Sequence, residues 1–281
     1  HVRSRRQRQM CIRDSTNTSS LAKFSEKFNN IVKLVSESDG ICFIYSQFKK
    51  YGAHILSIIL EANGFERFNC DSKGNILEDQ NISLNELDIE VKHKYILLTG
   101  DTPKNVLDKL KDYVNEPGNK DGGKIKVIIG TQAIEQGLSF FNIRQLHVVE
   151  PWYHLNSVNQ VIGRAVRRNS HQELREIERN VTIYLHISIP SKRIKAKPLI
   201  DEKMYITSIH KYKGILETQR LIKEAAIDCN LNIKGNILNL KKIIKRKDSF
   251  GENRTIFLGD IAGSMRCDFT SCDYKCNKEI D

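Results

Sequence analysis

Residues 159–171, NQVIGRAVRRNSH, set Gln160, Arg164 and Arg167 four and then three positions apart. At about 100° per helical residue these polar side chains share one face, and Val161, Ile162, Ala165 and Val166 fall on the other. Two guanidiniums in line make an anion site, because each is planar, forks its N–H donors toward paired oxygens and stays charged. The anion that gains most from such a clamp is a transferring phosphoryl group, whose transition state spreads charge over its oxygens. About 30 residues upstream, VIIGTQAIEQGLSF (127–140) reads as a buried strand entering a turn with Gly130, Thr131 and Gly137. Thr131 at that tip could donate its hydroxyl and backbone N–H to phosphate, and Gly137 would let backbone approach a ligand closely. A solvated helix face and an ordinary strand-to-helix loop are the plain alternatives.

These residues need a scaffold, and the hydrophobic pattern supplies one. Residues 20–38 carry Leu21, Phe24, Phe28, Ile31, Val32 and Val35 at helical spacing, with Ser19 or Ser20 as N-cap. GICFIYS (40–46) is a short apolar run, as a parallel strand buried on both faces would be. KKYGAHILSIILEANGF then predicts a helix ending at Gly64. Residues 66–93 are polar and rich in Gly, Asn and Asp, and read as an insertion or long loop. The alternation resumes with a strand at 94–100, a helix at 103–115 and strands at 124–131 and 145–150. A helix at about 155–168 carries the arginines, and one more strand covers 180–188. Strands alternating with amphipathic helices predict an α/β domain with a mostly parallel sheet over residues 16–198. From 199 to 281 the character changes: 200–228 reads as one long helix or two, NILNLKKIIKRK as a basic amphipathic segment, and a Cys-containing tail follows. Pro190 and Pro198, with basic residues between them, suit a linker.

The 281 residues are 40% hydrophobic and 28% charged, with no run of about 18 apolar residues to span a membrane and no signal-peptide pattern. Seven scattered Cys, several inside apolar runs, suggest reduced intracellular thiols rather than a disulfide framework. The formal charge is +11, of which the opening HVRSRRQRQMCIRDS (1–15) contributes +4, leaving +7 for the rest. That opening resembles translated adapter sequence, with a disordered basic nucleic-acid-binding arm as the alternative. On the adapter reading the protein continues upstream and this chain is its C-terminal part. The remaining positive balance permits a polyanionic partner.

The tail CDFTSCDYKC spaces Cys267, Cys272 and Cys276 so that they could give three thiolate zinc ligands, with no fourth ligand obvious nearby. KKIIKRK (241–247) could lie on a phosphate backbone or form a solvated helical face. GNKDGGKI (118–125) imitates a phosphate-binding loop as far as Lys124. Ile125 cannot coordinate Mg²⁺, however, and the segment leads into a strand where a P-loop opens a helix. Nothing else in the chain would cradle β- and γ-phosphates.

GICFIYSQF, YILLTGD, VIIGTQAIEQGLSF and QVIGRAVRRNSH, in this order, resemble the motifs of the second RecA-like domain of superfamily 2 helicases. Gln160–Arg167 matches that family's Q-x-x-G-R-x-x-R signature residue for residue. Over about residues 20–235, with VVEPWYHLNSVNQ, NVTIYLH and KEAAIDCNLN, the chain is similar to the Snf2-like helicases of nucleocytoplasmic large DNA viruses. Those are related to the poxvirus early transcription factor ATPase subunit. The resemblance implies a RecA-like, P-loop-NTPase-type sheet and a helical extension. It makes Arg167 the arginine finger on the γ-phosphate of ATP, with Arg164, Gln160 and Gly163 beside it and Gly137 near the nucleotide. It puts Thr131, Gln132, Thr99, Tyr45 and Ser46 on the nucleic-acid backbone. Many relatives carry Asp where this chain has Ser139, which removes an expected ribose contact. ATP and Mg²⁺ would be held mainly by a first RecA-like lobe of the same protein. DNA is the implied polymer and a viral RNA polymerase a further candidate partner. A non-catalytic nucleic-acid-binding module and a transcription-complex docking subunit are the competing readings.

Overall fold

The computed structural model describes residues 18–71, 73, 75–77, 93–132, 138–189, 199–238, 240–247 and 252–276. The first expected helix is two. α1 (Thr18–Phe24) stops at Ser25, whose extended backbone and hydroxyl, accepting from Phe28 N at 3.3 Å, cap α2 (Glu26–Ser36). β1 (Ile41–Tyr45) is buried at every position, as its unbroken apolar run requires of a central parallel strand. A π turn, Lys49–Ala53, feeds α3 (His54–Ala62), and Gly64 at φ +87° then reverses the chain. The region expected to be a loop contains β2 (Phe65–Arg67) and a small antiparallel pair, β3 (Asn69–Cys70) and β4 (Ile76–Leu77). Strands of two or three residues are too short to carry a period. Next come β5 (His93–Leu98), α4 (Lys104–Val114), β6 (Val127–Gly130), β7 (Ile143–Val148), α5 (Leu155–Ala165) and β8 (Thr182–Leu185).

Six of these strands form one parallel sheet in the order β2-β5-β6-β1-β7-β8, which fulfils the α/β expectation. On one face Cys42, Ile44, Tyr95, Leu97, Val127 and Ile129 pack with Ile31, Val32 and Val35 of α2 and Leu56, Ile59 and Leu60 of α3. On the other face Phe43 meets Phe140 with ring centroids 5.8 Å apart. α4 buries Leu110 and Val114, and α5 buries Val158, Val161 and Ala165.

The chain divides into two compact units. The first runs to Pro151 and resumes over Ser157–Glu202; the second joins Trp152–Asn156 to Lys203–Asp281. The division therefore falls inside α6 (Ile200–Ala225), a few residues beyond the expected boundary. In the second unit α7 (Cys229–Asn236) is followed by an antiparallel ribbon of β9 (Lys242–Lys247) and β10 (Asn253–Leu258). The basic stretch 241–247 is thus strand rather than helix, in keeping with its adjacent β-branched Ile243 and Ile244.

The zinc expectation is overturned. Cys229 is bonded to Cys276 and Cys267 to Cys272, so the three tail thiolates are not free to ligate, and no group of three potential ligands converges among the described residues. The expectation of reduced thiols holds for buried Cys42 and Cys70 and fails for these four. Spacing along a chain shows which thiols are near in sequence; Cys229, the partner from a distant helix, is brought in by tertiary structure. Among the described residues no helix is long and apolar enough to cross a membrane.

Candidate functional site

Parallel register brings the carboxyl ends of the central strands to one edge. Tyr45 lies opposite both Gly130 and Val148, and Leu98 lies opposite Gly130. Thr131 N donates to Leu98 O at 3.1 Å and Ser46 N to Gly130 O at 3.0 Å, so Ser46, Thr99 and Thr131 are neighbours on this edge. Gln132 is exposed beside them. Gly137 lies outside the described residues.

Tyr45 and Ser46 are both turned inward. Ser46 is wholly buried, and its hydroxyl donates to Glu150 Oε1 at 2.9 Å; Gln47 N donates to the other carboxylate oxygen at 3.2 Å. Burial raises the Glu150 carboxyl above the usual carboxylate range. A Cβ on Gly52 would overlap Ser46 Oγ and lie 3.0 Å from Glu150 Oε1, so the turn closes over this pair only with glycine. In this conformation neither Tyr45 nor Ser46 offers a side chain to a nucleic-acid backbone. Thr99 and Thr131 are also largely covered, and Thr99 Oγ1 accepts from Asp101 N at 3.4 Å in the turn after β5.

The arginines sit differently from their helical projection. α5 ends at Ala165, which leaves Gln160, Gly163 and Arg164 on the helix and Arg167 just past it. Ser170 causes the stop. Its hydroxyl accepts from Arg167 N at 3.3 Å and donates to Arg167 O at 2.9 Å, while Asn169 takes φ +67°. Val166, expected on the apolar face, is consequently 47% exposed.

Arg167 then folds back. Its Nε donates to Gly163 O at 3.0 Å and its Nη1 to Ser139 Oγ, while Arg164 Nη1 donates to Leu138 O at 3.4 Å. Both guanidiniums therefore converge on residues 138–139. A web of hydrogen bonds surrounds that convergence. Asn142 N donates to Ser170 O at 2.9 Å, and His171 Nε2 lies 2.7 Å from Ile143 O. From the end of α4, Asn115 donates to Ser139 O at 3.0 Å and accepts from Phe141 N at 2.9 Å. Sequence reasoning passed over Asn115, Ser170 and His171. The Asn-Ser pair after the arginines was the one available signal, since both residues favour turns over helix interiors.

Among the described residues Arg167 is exposed and meets two neutral acceptors but no carboxylate. Its charge is held in place without being neutralised, which suits it to an incoming anion. Gly163 has open space above it among the described residues: an added Cβ would meet none of their atoms within 4 Å. None of the described residues requires glycine there, though glycine in a helix interior costs about 1 kcal/mol relative to alanine. No group of three His, Cys, Asp or Glu side chains converges among the described residues.

The helicase conserved C-terminal domain family matches residues 26–169, from α2 to the turn that holds Arg167. The chain belongs to that family. This helicase C-terminal domain has the RecA-like parallel sheet that the resemblance implied. It is 27% identical over 218 residues to the putative ATP-dependent RNA helicase R563 of Acanthamoeba polyphaga mimivirus, covering 77% of this chain and 35% of that protein. It is 29% identical over 268 residues to the putative helicase 087L of Invertebrate iridescent virus 3, covering 93% of this chain and 24% of that protein. The termination factor NPH-I homolog of an African swine fever virus isolate is 25% identical over 237 residues, covering 74% and 33% of the two chains. The chain thus spans about a quarter to a third of the length of these relatives.

Proposed function

We propose that this chain is the C-terminal lobe of an ATP-dependent nucleic-acid translocase acting in viral transcription or replication. Arg167 is its arginine finger, and the observation that carries this is the exposed, unneutralised guanidinium fixed by Ser139 and the Gly163 carbonyl at the end of α5. Arg164 and Gln160 flank the γ-phosphate, and the open space over Gly163 leaves room for the nucleotide. The other half of the site, with the phosphate-binding loop and the acidic group for Mg²⁺, lies on a first lobe of the same protein. When ATP binds between the lobes, this side stabilises charge developing on the γ-phosphate oxygens. Gln132, the exposed residue of this sheet edge, meets the DNA backbone, with the covered Thr131 and Thr99 positioning the edge behind it; the contact is to phosphate and therefore independent of sequence.

Alone, the 281-residue chain hydrolyses ATP negligibly. The test joins it to the first lobe of its own protein and compares DNA-stimulated hydrolysis with and without Arg167→Ala. A loss of about 10³-fold or more with DNA binding retained supports the finger. Undiminished hydrolysis refutes it, and lost DNA binding with intact hydrolysis makes the arginine a nucleic-acid contact instead.

A further inference from the structure

The β9–β10 ribbon stands outside the family match. Its six paired positions run from Lys242 opposite Leu258 to Lys247 opposite Asn253. The two strands, KIIKRK and NRTIFL, carry five basic residues and no acidic one. Alternation along the pairing puts Ile243, Lys245, Thr255 and Phe257 on one face and Lys242, Ile244, Arg254 and Ile256 on the other. Neither face is buried: Ile243 is 66%, Ile256 42% and Phe257 40% exposed, and Lys242, Lys245 and Arg254 are exposed.

A solvated two-stranded ribbon is marginal by itself, yet this one has a fitted base. A Cβ on Gly259 would strike the Leu240 carbonyl oxygen and come within 2.7 Å of the Phe257 ring. Asp260 accepts from Leu238 N at 2.7 Å on the opposite side of the base and from Arg266 Nε at 3.1 Å. The fold thus pins the ribbon at its root and leaves Lys242, Lys245 and Arg254 exposed along it.

We infer that the β9–β10 ribbon is a second DNA-binding element that lies in the major groove of duplex DNA and contacts phosphates on both groove walls. Two strands about 5 Å apart and about 20 Å long fit a groove about 12 Å wide, and cations on both faces match the phosphates that line it. A-form RNA, whose major groove is deep and narrow, does not admit such a ribbon. The choice of DNA rests on the translocase reading above; the cationic ribbon itself does not. Its role would be to keep the lobe on the duplex irrespective of sequence.

The test uses the 281-residue protein and fluorescence anisotropy with labelled 30-base-pair DNA (about three helical turns), the matching single strand and duplex RNA. The variant Lys242→Gln/Lys245→Gln/Arg254→Gln changes exposed side chains only, and Lys104→Gln/Lys109→Gln/Lys120→Gln, exposed in the first unit, matches its net charge. Expected is a loss of about tenfold or more in duplex-DNA affinity for the ribbon variant alone, with its salt slope reduced by about two to three. Equal losses in both variants, no duplex binding by the parent protein, or a loss confined to single strands or equal on duplex RNA would each overturn the inference. Failure here leaves the Arg167 hydrolysis test untouched, so the two proposals fall separately.

Discussion

At the scale of single residues, Ser139 and Arg167 decide the most. An aspartate at the serine position would confront the guanidinium with a carboxylate. Here a neutral hydroxyl accepts from Arg167 instead, so the arginine is oriented while its charge stays available. One such hydrogen bond is worth about 1 kcal/mol. On the proposed arginine-finger reading, Ser139→Ala in the chain joined to its first lobe is therefore expected to lower kcat about fivefold and leave KM for ATP and the thermal midpoint unchanged. A kcat equal to that of the parent protein would mean that Gly163 and the Ser170 turn suffice to orient the finger. The arginines themselves were legible from type and spacing. The hydroxyl turn that ends α5 was not, because Ser170 competes with the helix only once Asn169 has adopted its left-handed backbone.

Among the elements, β7 and β8 show how pairing creates chemistry that neither strand has alone. Register sets His147 beside Tyr184, with ring centroids 4.7 Å apart, and His147 Nδ1 reaches 3.0 Å from His186 Nε2. His147 Nε2 also lies 3.1 Å from Gln145 Oε1, which only accepts, so this nitrogen donates; in the neutral ring that leaves Nδ1 to accept from His186 Nε2. Burial first, then the neighbouring His186, pushes His147 down to about 3; burial first, then Lys27, pushes His186 down to about 4. Unfolded histidines protonate near pH 6.5, while these two resist until pH 4 and below. The unfolded chain therefore binds more protons throughout that window. Stability is fully present above about pH 6.5 and falls as the pH drops through it. Urea midpoints measured from pH 7 to pH 5 should decline, and a His147→Gln/His186→Gln variant should flatten that decline. A parent protein with the same midpoint at both ends would contradict the buried neutral pair. Neither histidine stood out in the sequence, since one residue of slip in β8 would have separated them.

Across the whole molecule, the two units are held by different means. The first has a central sheet with apolar layers on both sides. The second has few buried residues, and much of its order comes from covalent links and one buried arginine. Arg220 is 3% exposed, stacks on the Tyr274 ring 3.4 Å from its centroid, and donates to Glu224 at 2.7 Å and to the Asp273 carbonyl. The Cys229–Cys276 bond closes a loop with a sequence separation of 47 and ties the tail to α7. A constraint of that length contributes about 2–4 kcal/mol. Thermal unfolding under a thiol reductant should thus lower the transition of the second unit and leave that of the first in place. If both transitions stayed put, the disulfides would have no part in holding the tail.

The sequence by itself determined the α/β class, the strand order along the chain and the arginine signature, because buried strands, amphipathic helices and guanidinium spacing are all local periodicities. It did not reach the short edge strands β2 to β4, which are below the length at which a period shows, nor the ribbon, which exists only through the pairing of its two strands. Tertiary structure alone decided that four cysteines pair rather than bind metal, that Ser46 faces Glu150 and not solvent, and that Arg167 rests on Ser139. Apart from the local Cys267–Cys272 bond, each of those outcomes depends on two groups distant in sequence arriving at one point, and chain spacing carries no record of that meeting.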